Sequence, residues 1–217
     1  MSLRGSLHFF RSYLNEPSVV GAVLPSSSRL GAALLRPFAG RDAAARVLEI
    51  GAGTGSITEC ITDRMRPDDH LDICEINRDF ANRIESKVLA APRLQRARRR
   101  GRIRVLCCPA EAIVDVEGYD FIVSGLPLTA FEPRLVKAIL SSVRRNLRPG
   151  GVFSYFEYVG LRRLNRSLAM GKSRRRIRRV SALLDYNIKR HQFSRETVLS
   201  NIPPAHARHW RFEAVAS

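Results

Sequence analysis

From residue 46 onward the apolar positions fall into short continuous runs, separated by stretches in which they recur every three or four residues. The runs are Arg46–Ile50, Asp72–Ile76, Ile103–Cys107, Asp120–Ser124 and Val152–Tyr158. Each is short enough and rich enough in aliphatic and aromatic residues to predict a strand. Between them lie helical patterns. One follows the first run as far as Met65. Another covers 77–89, with Phe80, Ile84 and Val88 on one face, and a third covers 133–147, with Val136, Ile139, Leu140 and Val143. Arg148-Pro149-Gly150-Gly151 reads as a turn, and 188–214 supplies two further strands around Ile202-Pro203-Pro204. Strands alternating with helices predict an open, mostly parallel, seven-stranded α/β sheet.

The first 40 residues have a different character. Leu3, Leu7, Phe10 and Leu14 form one stripe of a helix, with Arg4 and Arg11 off it. Pro17 and Pro25 punctuate the chain. Ser26, Ser27 and Ser28 then offer N-caps for a second helix carrying Leu30, Leu34 and Leu35 and stopped at Pro37. The expected organisation is an N-terminal helical cap over 1–40 and one α/β domain over 41–217.

Composition narrows the class. The chain has 217 residues, 45% hydrophobic and 26% charged, an ordinary globular balance. No apolar run reaches the ~20 residues that span a bilayer, and Met1–Phe10 lacks the features of a secretory signal. Cys60, Cys74, Cys107 and Cys108 fit neither a metal clip nor a disulfide framework, so no metal is expected and a reducing, cytoplasmic setting is. Charge is the abnormal quantity. There are 37 Lys and Arg against 20 Asp and Glu, for a net +17, and every basic residue except Lys87, Lys137, Lys172 and Lys189 is arginine. Seven arginines crowd 93–104 and nine basic residues crowd 162–179, with no acid in either stretch. Such a field attracts polyanions, either nucleic acid or an anionic membrane surface, and composition does not choose between them.

The motif with most chemistry in it is Glu49-Ile50-Gly51-Ala52-Gly53-Thr54-Gly55, set between a strand and a helix. Glycines there let the main chain turn sharply and let a ligand approach it. The spacing is GxGxG without a following Gly-Lys-Ser/Thr, which disfavours dinucleotide and triphosphate loops. Glu75 follows Gly51 by 24 residues at the end of the next strand, where a carboxylate accepts ribose hydroxyls.

The stretch VLEIGAGTGSIT followed by CEIN resembles the class I S-adenosylmethionine-dependent methyltransferases, built on a Rossmann-like sheet, over roughly residues 46–158. The resemblance implies S-adenosylmethionine as cofactor, with Glu49 at its methionine end and Gly51, Gly53, Thr54 and Gly55 forming the loop around that moiety. It implies that Glu75 and Ile76 lie at the ribose and that Ala110 and Glu111 lie at the adenine, Glu111 meeting the exocyclic amine.

The acceptor is expected at Ser124-Gly125-Leu126-Pro127-Leu128, after the fourth strand. In rRNA adenine methyltransferases this place holds an Asn-Pro-Pro-Tyr type of tetrapeptide, whose amide and aromatic ring grip the base. Both are missing here. The N-terminal stretch FFRSYLNEPSVVGAVLPSSSRLGAALL, the SGLPL segment and NIPPAHARHWRF together resemble bacterial phospholipid N-methyltransferases, which methylate phosphatidylethanolamine, with relatives acting on ornithine lipids. The resemblance implies a membrane aminolipid substrate. It also implies a peripheral position on the inner face of the cytoplasmic membrane, held by an amphipathic helix and a polybasic segment.

Methyl transfer needs a neutral amine aligned with the sulfonium. The carbonyls of Ser124, Gly125 and Leu126 are placed to hold its hydrogens, and the faces of Tyr13, Phe131, Tyr155 and Tyr158 attract a methylated ammonium. Glu157 and His191 are candidates to relay the proton. Ser26 and Ser27 stand where the cap meets the cofactor, or cap a helix. Arg174, Arg175 and Arg178 lie opposite Ile177, Val180, Leu183 and Leu184 on a helical projection, so that segment reads either as a membrane-docking helix or as one packed on the domain. The chain is expected to be a monomer in solution. Two other functions stay open, a nucleic-acid methyltransferase and a non-catalytic membrane- or RNA-binding protein.

Overall fold

A computed structural model of the protein describes residues 27–160 and 171–212. Seven strands form a single sheet: β1 (Arg46–Ile50), β2 (His70–Cys74), β3 (Ile103–Leu106), β4 (Tyr119–Ser124), β5 (Leu147–Tyr158), β6 (Gln192–Val198) and β7 (Ala205–Arg211). Their order is β3-β2-β1-β4-β5-β7-β6. β1 to β5 run parallel, and β7 is antiparallel to both its neighbours. β1 and β2 are buried along nearly their whole length, the signature of parallel strands covered on both faces. The chain winds outward from β1 to β3 and then returns to place β4 on the other side of β1. The carboxyl ends of β1 and β4 therefore flank the crevice where such sheets bind ligands.

Six helices of the described residues cover the two faces: α1 (Ser28–Leu34), α2 (Ser56–Thr62), α3 (Arg78–Arg83, continued by a π-helical turn through Val88), α4 (Gln95–Arg99), α5 (Pro133–Asn146) and α6 (Gly171–His191). One core joins Leu30, Leu34 and Phe38 to Ile57, Ile61 and Phe156. The other joins Ile139 and Val143 of α5 to Val180 and Leu184 of α6 and to Phe153, Tyr155 and Trp210 of the sheet.

Three expectations change in detail. β2 ends at Cys74, so Glu75 stands just beyond the strand, where its carboxyl can turn back to the glycine loop. The Arg148–Gly151 turn is an irregularity inside β5, where pairing jumps from Tyr119 with Leu147 to Phe121 with Val152. The apolar stripe of α6 is an internal surface: Ile177, Val180 and Leu184 are buried, and the helix packs on α5 and β6–β7. The expected helix over residues 3–14 lies outside the described residues, as do Tyr13 and Ser26.

The described part of the N-terminal segment belongs to the core. Leu30, Ala33, Leu34, Leu35 and Phe38 are all buried against the sheet and α2. Leu30→Ala is therefore expected to cost about 2–5 kcal/mol of global stability, as for other buried leucines. Urea unfolding measures it, and an unchanged midpoint would show that 28–38 is a detachable cap.

Candidate cofactor and acceptor site

The site is built where β1 and β4 end side by side. Gly51 takes a left-handed φ of 71°, and its N–H reaches across to the Cys74 carbonyl at 2.9 Å. Gly125 donates to the Ile50 carbonyl, also at 2.9 Å. A Cβ on Gly125 would stand 2.4 Å from the Gly51 oxygen, and one on Gly51 would strike the Leu126 side chain at 2.2 Å. Close approach to backbone thus requires glycine at 125 and the left-handed φ favours it at 51, and the expected acceptor segment rests directly on the expected cofactor loop.

Beside this contact lies an open cleft, with about 400 Å³ of empty space when the solvent at its mouth is counted. Its wall includes Gly51, Glu75, Ile76, Ala110 and Glu111, together with Leu126 and Phe131 from the acceptor side. Glu75 Oε2 accepts from the Gly53 N–H and Oε1 from the Asn77 N–H, each at 2.7 Å. Carboxylate oxygens accept more than one bond each, so capacity for hydroxyls remains. Burial pushes the Glu75 carboxyl above its ordinary value, against the pull of those main-chain donors. The Ala110 carbonyl accepts from Ser142 Oγ at 2.9 Å, which fixes the Ala110–Glu111 segment to α5.

Glu49 lies beneath the loop, fully buried. Thr58 Oγ1 donates to its Oε2 at 2.6 Å, while Oε1 has no hydrogen-bond partner among the described residues. Burial, reinforced by the nearby Glu75 charge and moderated by Thr58, pushes its pKa up to about 8. A buried acceptor left unsatisfied is costly, and a cationic group brought to it relieves that cost. The residues present fit S-adenosylmethionine: Glu75, with Ile76 beside it, would take the ribose, Ala110 and Glu111 would lie at the base, and Glu49 with the glycine loop would hold the ammonium end. When bound, the cofactor supplies an electrophilic methyl group, and this chain binds it and aligns the acceptor.

Other expected site residues are placed differently. Ser124 is buried, and its Oγ accepts from the Leu126 N–H at 3.2 Å, which holds the bend of the acceptor segment. Thr54 is exposed, and Gly55 forms the left-handed N-cap of α2. Tyr155 is a core side chain, stacked on Phe153 and edge-on to Trp210, because odd positions of this stretch of β5 face α5 and α6. Tyr158 packs on Phe156 on the opposite face. Neither tyrosine reaches the cavity wall. Glu157 is buried in an ion pair with Arg208 at 3.3 Å. His191 closes α6 against Phe212, at the end of the sheet away from the cavity. Ser27 caps α1 by accepting from the Leu30 N–H, so its hydroxyl serves the helix. Thr58, Cys74, Cys108, Leu135 and Ile139 belong to the site and were not anticipated. A hydroxyl one turn into the helix after a buried acid was the signal for Thr58.

Two surface features share the cavity's end of the sheet. β6 is parallel to β5, since both oppose β7. α6 enters β6 at its far end, so the first half of α6 stands at the cavity end, where the Arg176 guanidinium donates to the Ala130 carbonyl. Arg174, Arg175 and Arg178 are exposed there. The β6–β7 hairpin turns at the same end, with Leu199 75% and Ile202 74% exposed and Val159 41% exposed beside them. Buried Asn201 stiffens the turn, accepting from the Ser27 N–H at 3.2 Å and donating to the Pro203 carbonyl at 2.7 Å.

Glu75→Ala is expected to weaken S-adenosylhomocysteine binding about tenfold or more, the worth of a charge-assisted contact, read by calorimetry. Glu49 adds a pH signature. Its folded pKa lies above the ordinary carboxylate value, so the stability from its neutral form is complete below that value and is lost as pH rises to about 8. His209, whose pKa burial lowers to about 4, opposes this trend only below its ordinary 6.5. Between those two upper bounds, the melting temperature of the free protein should fall with pH, and fall less in Glu49→Gln.

A family model described as a methyltransferase domain matches residues 47–151. The ornithine lipid N-methyltransferase of Singulisphaera acidiphila is 31% identical over 146 residues, 67% of this chain and 74% of that protein. Among solved structures, the N-methyltransferase NodS from Bradyrhizobium japonicum aligns with a TM-score of 0.60 at 18% identity, covering 86% of this chain and 96% of that one. The Burkholderia thailandensis 1,6-didemethyltoxoflavin-N1-methyltransferase, solved with S-adenosylhomocysteine, aligns with a TM-score of 0.61 at 16% identity, covering 99% and 92%. At these identities the structural likeness is one of fold. The motif, the cavity and the relative together make this chain a member of the class I S-adenosylmethionine-dependent methyltransferase family, and within it an N-methyltransferase.

Proposed function

We propose that the protein methylates the amino head group of a membrane aminolipid, an ornithine lipid or phosphatidylethanolamine, while docked on an anionic bilayer surface. The observation that carries this reading is the make-up of the cavity's end of the molecule. Exposed Arg174, Arg175 and Arg178 stand there with exposed Val159, Leu199 and Ile202. A basic cluster beside a stiff apolar tip matches a lipid interface, where cations meet headgroups and apolar side chains enter the acyl boundary. Among the described residues no helix is long and apolar enough to cross a membrane, so the described part would act from the surface.

The acceptor chemistry supports the same reading. Ser124-Gly125-Leu126 offers main-chain carbonyls but neither a side-chain amide nor an aromatic to grip a nucleobase. Phe131 lines the cavity as a buried core side chain. The similarity to an ornithine lipid N-methyltransferase points to the same class of acceptor.

The test is expression in a phosphatidylethanolamine-rich bacterium and, separately, in an ornithine-lipid-producing host, with lipids analysed by mass spectrometry. Methylated aminolipid is expected in at least one host, and its loss in Leu199→Asp/Ile202→Asp with cofactor affinity kept. Methylated rRNA with unchanged lipids in both hosts would overturn the reading.

A further inference from the structure

Cys74 ends β2 and Cys108 follows β3, and their sulfurs face each other 4.0 Å apart. Both line the cofactor cavity, beside Glu75 and Glu111. The pair arises from strand register. Cys74 lies opposite Leu106, and the Cys108 N–H turns back to the Leu106 carbonyl at 3.0 Å, which swings the Cys108 side chain toward β2. Cys74 Sγ also donates to the Cys108 carbonyl at 3.1 Å. A disulfide needs the sulfurs about 2 Å closer. Cys108 sits on the connection to the Ala110–Ala112 turn, outside the ladder, and can supply that movement.

We propose that Cys74 and Cys108 are an oxidation site, forming a reversible disulfide that narrows the adenosine end of the cavity and lowers cofactor affinity. The inference rests on the cavity being the cofactor's and is independent of the acceptor. The two thiols are electronically unlike. The neighbouring Cys74 side chain holds the Cys108 thiol below its ordinary value, while that contact and burial push Cys74 well above. Cys108 is also the less buried of the two. Cys108 is therefore the thiolate that meets an oxidant of the peroxide class. Its sulfur attacks one peroxide oxygen; an S–O bond forms, the O–O bond breaks and hydroxide leaves, taking up a proton to become water. Cys74 sulfur then attacks Cys108 sulfur; the S–S bond forms, the S–O bond breaks, and the departing hydroxide takes the Cys74 proton as a second water. Both sulfurs are oxidised and the peroxide is reduced. The covalent bond draws the Pro109–Glu111 segment toward β2, into space the base would occupy. Cys107 is exposed and off the cavity wall, which makes it the internal control.

The experiment treats the full chain with hydrogen peroxide, then with dithiothreitol. Peptide mass spectrometry without reduction reads the cross-link, and calorimetry reads S-adenosylhomocysteine affinity before and after. A Cys74–Cys108 peptide is expected, with affinity falling about tenfold or more and returning on reduction. Cys107→Ser should show the same ratio, and Cys108→Ser should show no peroxide-dependent change. A Cys107–Cys108 link, oxidation without a cross-link, or a Cys74–Cys108 link that leaves affinity unchanged would each overturn the proposal. Because the cross-link is read without ligand, failure of the cofactor assignment is seen separately, as absent binding by the reduced protein.

Discussion

The main-chain contact between Gly51 and Gly125 is the constraint on which the rest of the site depends. Parallel strands β1 and β4 end together, and the chain leaving each must turn within the same few ångströms. Only the absence of a side chain on Gly125 lets the Gly51 oxygen and the Gly125 Cα pass, with the Gly125 N–H bonded to Ile50 as the turn begins. From that crossing follow the position of Leu126 on Gly51, the bend held by Ser124 Oγ, and the cavity that opens beside them. The glycine loop and the Ser124–Leu126 segment pack main chain against main chain, so their separation is set by backbone contact.

Residues fixed by strand order were legible before the structure. Glu49, Gly51, Glu75 and Glu111 sit at or just beyond carboxyl ends of adjacent parallel strands, and any sheet with this order brings such positions to one crevice. Features that depend on register or facing were not legible. The Cys74–Cys108 approach needs the pairing of β2 with β3. Tyr155 alternates with Ser154 and Phe156, but period alone does not say which face holds the cavity. The stripe of α6 has the same periodicity whether it meets lipid or protein, and Val180 and Leu184 meet protein. Ser27 reads equally well as cap or contact until the Leu30 N–H is seen to hold it.

The arginine excess also divides once partners are known. Arg46 pairs with Asp115 and Glu117, Arg104 with Asp72, Arg148 with Asp120, and Arg36 with Glu196. Tyr119 joins the Asp72 pair through a 2.7 Å hydrogen bond, so that part of the charge ties β2, β3 and β4 together. Arg176 likewise serves the fold, bonding the Ala130 carbonyl. Its helical neighbours Arg174, Arg175 and Arg178 point outward instead. Sequence density overstates the surface charge in some places and represents it well in others.

A chain of net +17 would be expected to repel a cofactor that carries a sulfonium and an ammonium. Distance decides the matter. At 0.1 M salt, exposed charges more than about 10 Å away are largely screened, whereas Glu49 and Glu75 lie at the loop itself in a poorly screened interior. Without a cation, burial and the nearby Glu75 charge make Glu49 hard to ionise, and it keeps its proton to about pH 8. Glu49 would hold the cofactor's ammonium in place of that proton. Binding there would exchange one positive charge for another in the buried site and leave the arginine field outside unengaged.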